Sequence, residues 1–540
     1  MTTRAALEET APRGSEHSWL RQAAGLSGAL ILSILIFYCF DRFLLDARWK
    51  GDVGAALLRA ALMALPFVWL RMADLPAALR ITLRTLSIAF GIYMVVGFYD
   101  VAPGSPVTGQ TAWKIIPWLS AVLAVVGWFR PAAIILLLSI LILFKQFVST
   151  ALGVPLSATD YRTVAEFAIY LSIGAACSAL LFRHVLKRTR EESDAMMEAF
   201  LVVCVGIHFG NYFWSGYQKI AIAGDPFEWV LTNPTWALSD ASLLLGMHPL
   251  AHWPTLTETA TRILHDYAVP LNALVLATQL GSILALARRR TMIGMTLFYD
   301  VQHLAIFFTT GIFFWKWIVL NTVIVAALAR LKHSISWSTK IIAAVALLLG
   351  PQVFRIAFLG WFDTPSVNRA YLTANLEDGG EVALPSNYFF AASIWAAQMD
   401  SVRYMSGGFA TGTWGATSNG ETATGARDCA LGSDPRGSRA DPSILADYTR
   451  KHHAALLRRA DAGGRVNTDA YPHHIWSTPY PSAAVRNLDV RDIVTYTWRL
   501  ERICFRRVSG NRELVTDEIA SELEIPLRPD GESDAASVSR

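Results

Sequence analysis

The chain is a train of apolar runs, each near the length of a bilayer crossing. A helix needs about 20 apolar residues to span the hydrocarbon core. Runs of that size begin at Leu26–Leu45, Val53–Leu70 and Leu83–Tyr99 and continue at Trp113–Phe129, Pro131–Phe147 and Val164–Phe182. A seventh starts near Phe200, and an eighth covers Tyr267–Ala287. Met292–Ala329 is too long for one straight span and carries Gly311 in its middle, so it is expected to be a helical hairpin or a broken helix. Lys340–Leu359 is the last run, with Pro351 expected to kink it. The fold class this predicts is mainly α: a polytopic transmembrane bundle of about ten spans, followed by a small α+β extracytoplasmic domain.

Basic residues orient the runs. Arg71, Arg80 and Arg84, then Arg183, Lys187, Arg188 and Arg190, then Arg288–Arg290, then Arg330 and Lys332 all follow alternate spans. Placing these clusters in the cytoplasm satisfies the positive-inside rule. It puts the N-terminus inside and everything after Leu359 outside, in a multi-pass protein of the cell inner membrane. The net charge of +4 over 540 residues is a topology signal and leaves no nucleic-acid surface. Nothing in Arg4–Arg21 and the run after it reads as a cleaved signal peptide.

The expected organisation is a polar segment at 1–22, N-terminal membrane helices at 23–194, and a membrane core at 195–360. Within that core, 222–266 is a long loop with Trp229, Trp236 and Trp253, read as interfacial or re-entrant helices such as Pro234–Leu245. The domain at 361–528 begins with a hairpin signal, Ala370–Leu376 and Glu381–Leu384 around Glu377-Asp378-Gly379-Gly380. A helix over Asn387–Arg403, a flexible loop at 406–439, a helix from Asp441-Pro442 to Gly463-Gly464, and a strand over Asp492–Val508 follow. The tail at 529–540 is expected to be disordered. Cys39, Cys177 and Cys204 read as small buried hydrophobes, and Cys429 and Cys504 as a disulfide candidate in an oxidising compartment.

Two stretches carry chemistry. In the seventh run His208, Asn211, Ser215, Gln218 and Lys219 recur at helical spacing, so they form one polar stripe among Phe, Tyr and Trp. Such a stripe is costly against lipid and is expected to face a bundle interior or cavity. The bland alternative for Lys219 is an end-of-helix lysine reaching the headgroups. In Phe298–Trp315, Asp300 and His303 lie three apart on one helical face, where a carboxylate can orient an imidazole. The bland alternative there is a hydrogen bond locking two helices. His452-His453 and His473-His474 lack any cysteine pair, and neighbouring histidines on a helix diverge, so a surface role is expected and no metal. No Walker loop, dinucleotide fingerprint, G-x-S-x-G elbow or H-E-x-x-H occurs.

Tyr212-Phe213-Trp214-Ser215-Gly216-Tyr217-Gln218-Lys219-Ile220 resembles the motif of the vitamin K-dependent γ-glutamyl carboxylase family and its bacterial relatives, the HTTM-domain proteins. His303–Phe314 resembles that family's later membrane motif, and the likeness covers roughly 195–330. The family's tryptophan closely follows its lysine, whereas Trp229 is displaced here by Ala221–Glu228. The resemblance implies vitamin K hydroquinone or another quinol as cofactor, with carbon–carbon lyase chemistry of the carboxylase/epoxidase kind. It implies Lys219, His303 and His208 as catalytic residues, Lys219 being the base. Asn211, Tyr212, Ser215, Asp300 and Trp315 would bind the cofactor. Implied partners are membrane lipid, a lipophilic cofactor, and a protein or peptide substrate on the extracytoplasmic side. The competing readings are a non-catalytic lipid- or quinone-binding scaffold and a transporter, though the repeated halves common in transporters are absent.

Overall fold

The structure is a computed structural model, and it describes residues 15–45, 53–96, 111–152, 162–354, 356–357, 359–385, 388, 405–432, 441–461, 482–509 and 511–527. The first two thirds of the chain carry, among the described residues, the helices α1 (Ser15–Phe43), α2 (Val53–Ala64), α3 (Ala77–Val96), α4 (Thr111–Gly127), α5 (Pro131–Leu152), α6 (Arg162–Ala179), α7 (Arg190–Ala223), α8 (Glu228–Thr232), α9 (Ala237–Leu244), α10 (Pro254–Asp266), α11 (Ala268–Ala285), α12 (Arg289–Thr310), α13 (Trp315–Ala329) and α14 (Trp337–Leu348). Among the described residues, five helices are long and apolar enough to cross a membrane; they begin at Gln22, Ala77, Arg162, Arg190 and Ala268.

Helix α7 is the axis of the bundle. Its N-terminus is fixed by a reciprocal cap between Thr189 and Glu192, and its C-terminus by Gly224 in the left-handed conformation. It packs against α6, α11 and α14, and its apolar window is 89% buried, against 28% for α1 and α11. Close approach needs missing side chains. A Cβ on Gly206 would sit 2.5 Å from the Ala343 carbonyl, and one on Gly210 3.2 Å from that of Leu347, so this small-residue pair admits the backbone of α14. On the cytoplasm-predicted flank, the buried Glu198 accepts hydrogen bonds from the main chain of Lys332 and His333 and from the His333 ring, pinning the α13–α14 loop.

The break expected near Gly311 is present. Gly311 has φ +74° and ends α12, and α13 packs back on it as a hairpin. The last run departs from expectation. Helix α14 stops at Leu348, Pro351 opens a single turn, α15 (Gly350–Val353), and the described residues between it and Asp363 are not helical. Pro351 lacks the N–H that a continuing helix would need.

The C-terminal part is one antiparallel sheet in the order β2-β1-β3-β4: β1 (Ser366–Leu376), β2 (Glu381–Ala383), β3 (Ile493–Val508) and β4 (Asn511–Pro526). The hairpin at Glu377–Gly380 is as expected, with Gly379 at φ +83°. The long central pairing sets Ser366 against Cys504 and Thr373 against Thr497. Strand β4 is an addition to the expected plan. The loop expected at 406–439 holds a helix, α16 (Gly420–Arg427), just before Cys429, which pairs with Cys504 in a disulfide. Helix α17 (Pro442–Asp461) covers the sheet. The surface role expected for His452 and His453 is corrected: both are buried, His452 against the Tyr388 carbonyl (3.0 Å) and His453 against the Tyr496 hydroxyl (3.0 Å). A helical turn on the sheet-facing side of α17 puts both rings in the core. The helix expected at Asn387–Arg403 and the His473-His474 pair lie outside the described residues, as does the tail from 528.

Candidate functional site

The polar stripe of α7 is buried, as its composition demanded, but it divides in two. Its outer half meets the chain that follows α15. The Asn211 side-chain oxygen accepts from Ala357 N (2.8 Å). The Ser215 hydroxyl accepts from Leu359 N (3.0 Å) and lies 3.2 Å from the Ala357 carbonyl. The Gln218 side chain accepts from Gly360 N (3.2 Å). Lys219 Nζ donates to the carbonyls of Leu359 (2.8 Å) and Ser215 (3.4 Å). An extended chain has no neighbours for its own N–H and C=O groups, and burying them unpaired costs about 1–3 kcal/mol each. Four α7 side chains act as the missing neighbour strand.

Lys219 is neither at the surface nor beside the histidines. It is buried, and its Nζ lies 5.3 Å above the Trp229 ring. The insertion Ala221–Glu228 completes α7, turns at Gly224 and delivers α8, which brings Trp229 back over the lysine. Trp229 donates to the Trp361 carbonyl (2.8 Å), and Trp361 donates to Asp363 (2.9 Å). Asp363 also exchanges two hydrogen bonds with Asn233, each 2.7 Å. Burial pushes the Asp363 carboxyl up to about 6, against the opposing pull of Asn233, Trp361 and Lys219.

The inner half of the stripe faces α12 and α13. His208 Nε2 lies 2.8 Å from Asn321 Oδ1. The Asn321 amide nitrogen donates to Asp300 (2.9 Å) and to the Tyr212 hydroxyl (3.2 Å). This fixes the imidazole's tautomer. A carboxylate only accepts, so Asn321 presents its NH2 group to Asp300 and its oxygen to His208. His208 therefore carries its proton on Nε2, and Nδ1 is a bare lone pair. That Nδ1 is buried without a partner, as is Nδ1 of His303. The ring of Tyr212 stacks on Tyr299 at 3.6 Å, and His303 sits 5.3 Å from Phe314 and 6.0 Å from both Tyr212 and Trp317. Asp300 and His303 share a helix face but make no contact with each other; Asp300 binds Asn321 instead. Trp315 turns toward α3, with its ring 5.5 Å from Tyr93 and its indole N–H buried without a partner.

On its other side His208 lines a narrow cleft of about 40 Å³ between α1, α6, α7 and the chain after α15. Its walls include Phe37, Phe167, Tyr170 and Phe354, with Glu166 and Asn211 as further polar groups. The Tyr170 hydroxyl is buried without a partner. Asn321 and Tyr170 were not expected as site residues. An Asn-Thr pair, Asn321-Thr322, in the otherwise apolar run Ile318–Ala329 is the signal that could have found the first.

One other polar group has the look of catalysis. Ser239 lies 3.2 Å from His248 Nε2. But His248 Nδ1 accepts from Leu250 N (3.1 Å), so Nε2 holds the proton and cannot take one from the serine. Among the described residues no cluster of three or more histidine, cysteine or acidic side chains could hold a metal ion. Comparison of the chain with protein-family models, with curated proteins and with solved structures returns no match. The fold and site define a helical bundle with membrane-length apolar helices, a buried histidine–aromatic site and a small antiparallel sheet domain.

Proposed function

We propose that this is an integral membrane protein that binds a flat, lipophilic ring bearing hydroxyl groups, a quinol, at the histidine–aromatic site, in the manner of the carboxylase-like family its motifs resemble. The reading places the N-terminus in the cytoplasm and the sheet domain outside. The single observation that carries it is the bare Nδ1 of His208, buried beside an aromatic-walled cleft with the unpartnered Tyr170 hydroxyl. An acceptor and a hydroxyl flanked by rings match the two polar edges and the apolar faces of such a molecule, and the cleft, about 40 Å³ as it stands, has to widen to admit it. When bound, a quinol supplies reducing equivalents for oxygen-dependent chemistry. In this reading His208 would accept a hydroxyl proton on Nδ1, Asn321 and Asp300 would hold its tautomer, and the surrounding Phe and Tyr rings would exclude water. Glutamyl carboxylation is the chemistry the resemblance suggests for the enzyme as a whole. Lys219, the base by resemblance, has a different setting here, and in this reading it holds the outer junction.

The second reading is a non-catalytic ring- or lipid-binding scaffold. It is favoured by the main-chain contacts of Asn211, Ser215, Gln218 and Lys219, which are those of interhelical glue. The test is to purify the full chain in nanodiscs, extract and identify bound lipophiles by mass spectrometry, and assay oxygen- and CO2-dependent turnover. A quinone retained by wild type and lost in His208→Leu supports ring binding, and turnover separates enzyme from scaffold. Retention unchanged in His208→Leu, or no ring bound even after quinol is added back, contradicts the reading.

A further inference from the structure

Helix α10 is built inside out. Thr257 and Thr261 are buried, and Thr261 meets Ser239 at 2.7 Å, while Trp253, Leu256 and Ile263 are 59%, 52% and 51% exposed. At 100° per residue the helix has three sectors. Trp253, Leu256, Ala260, Ile263 and the following Tyr267 share one face. Thr257 and Thr261 lie about 90° away, Thr261 against α9 and Thr257 on the carbonyls of Leu250 and Trp253. Glu258 and Arg262 lie roughly opposite the apolar face. The apolar face does not stop at the helix end. Tyr267 leads directly into α11, where Val269 and Leu274 are also exposed, and α11 is long and apolar enough to cross a membrane. The charged sector is tied to the sheet. Glu258 accepts from Arg507 at the end of β3 (2.6 and 3.2 Å), and Arg507 also grips Asp240 of α9 (2.9 and 3.0 Å).

We propose that α10 lies in the plane of the membrane interface, with the Trp253–Tyr267 face sunk into lipid and the Glu258 side carrying the sheet domain. An exposed apolar face continuous with a spanning helix, and opposed by charge, has lipid as its fitting partner. The partner is the bilayer surface on the sheet-domain side, at the corner where α11 enters it. Through Glu258 and Arg507, the depth of α10 sets the height of the sheet above the bilayer.

The test uses the full chain with Cys39→Ser, in nanodiscs of phosphatidylcholine and phosphatidylglycerol. Nitroxide labels go on Leu256→Cys, Ile263→Cys, Thr259→Cys and Asp266→Cys, with Leu274→Cys as a depth marker on α11. Accessibility to oxygen and to a water-soluble nickel chelate is read by power saturation. The proposal expects labels at 256 and 263 about 5–10 Å below the phosphates, labels at 259 and 266 in water, and 274 deeper than all of them. Equal chelate access at all four α10 sites overturns it. So does shielding of 256 and 263 from both probes, which would mean a protein contact. If 274 is also aqueous, α11 is not in lipid and the proposal falls with it.

Discussion

Two halves of one helix face behave differently. On α7, the side chains of Asn211, Ser215, Gln218 and Lys219 are engaged by the main chain of Ala357, Leu359 and Gly360. One turn inward, His208 keeps a bare, buried nitrogen and lies beside a cleft. Both halves are polar, buried and at helical spacing. Burial of polarity in a bundle therefore does not by itself mark chemistry; what separates the halves is whether every donor and acceptor already has a partner.

The largest expected effect falls on the saturated half. Lys219→Ala leaves the buried Leu359 carbonyl unpaired and removes the positive charge near Asp363. We expect a loss of about 2–3 kcal/mol, read as a lower unfolding temperature in nanodiscs with ring binding retained. An unchanged unfolding temperature would erase the distinction. Next comes a pair of histidines elsewhere. Burial holds His452 at about 3 and His453 at about 4, below their ordinary 6.5. Unfolded, both take up protons as pH falls through 6.5, and folded they do not, so stability is lost on acidification below about 6.5. His452 alone contributes up to ~1.4 kcal/mol per pH unit in that window. Acid-induced exposure of Tyr388 and Tyr496, followed by hydrogen exchange on β3, should disappear in His452→Leu/His453→Leu. Ser215→Ala should cost about 1 kcal/mol, with exchange of the Leu359 amide accelerated and that of α12 unaffected. The smallest stability effect belongs to the open half. His208→Gln keeps an N–H donor for the Asn321 oxygen while removing the Nδ1 acceptor, so it should shift stability by less than about 1 kcal/mol, while ring affinity falls at least about tenfold.

Much of the bundle was legible because bilayer thickness imposes a run length that no short-range ambiguity can hide. The break at Gly311 and the 376–381 hairpin were legible for local reasons, a left-handed glycine and turn residues, and the Cys429–Cys504 pairing from two cysteines in one polar part of the chain. The chain after α15 was not. Its hydrogen-bond partners are on α7, more than 140 residues earlier, and apolar residues such as Ile356 and Leu359 read equally well as helix or extended chain. Strand β4 was missed because Arg512-Glu513-Leu514 and Ser521-Glu522-Leu523-Glu524 are helix-forming in composition. Its strand state rests on pairing with β3, through Arg499–Glu522 and Arg506–Glu513 among other contacts. Within the site, the stripe and the Asp300/His303 face were legible from spacing. Their division was not, since Asn321, which claims both His208 and Asp300, has only Thr322 for polar company in an apolar run.

The most direct test measures two quantities on two variants of the full chain in nanodiscs: unfolding temperature and retained lipophilic ring, for Lys219→Met and His208→Gln. A crossed result is expected, with Lys219→Met unstable but still binding and His208→Gln stable but empty. Loss of the ring in Lys219→Met at unchanged stability, with His208→Gln still loaded, would place the chemistry on the outer half and contradict the division of the stripe.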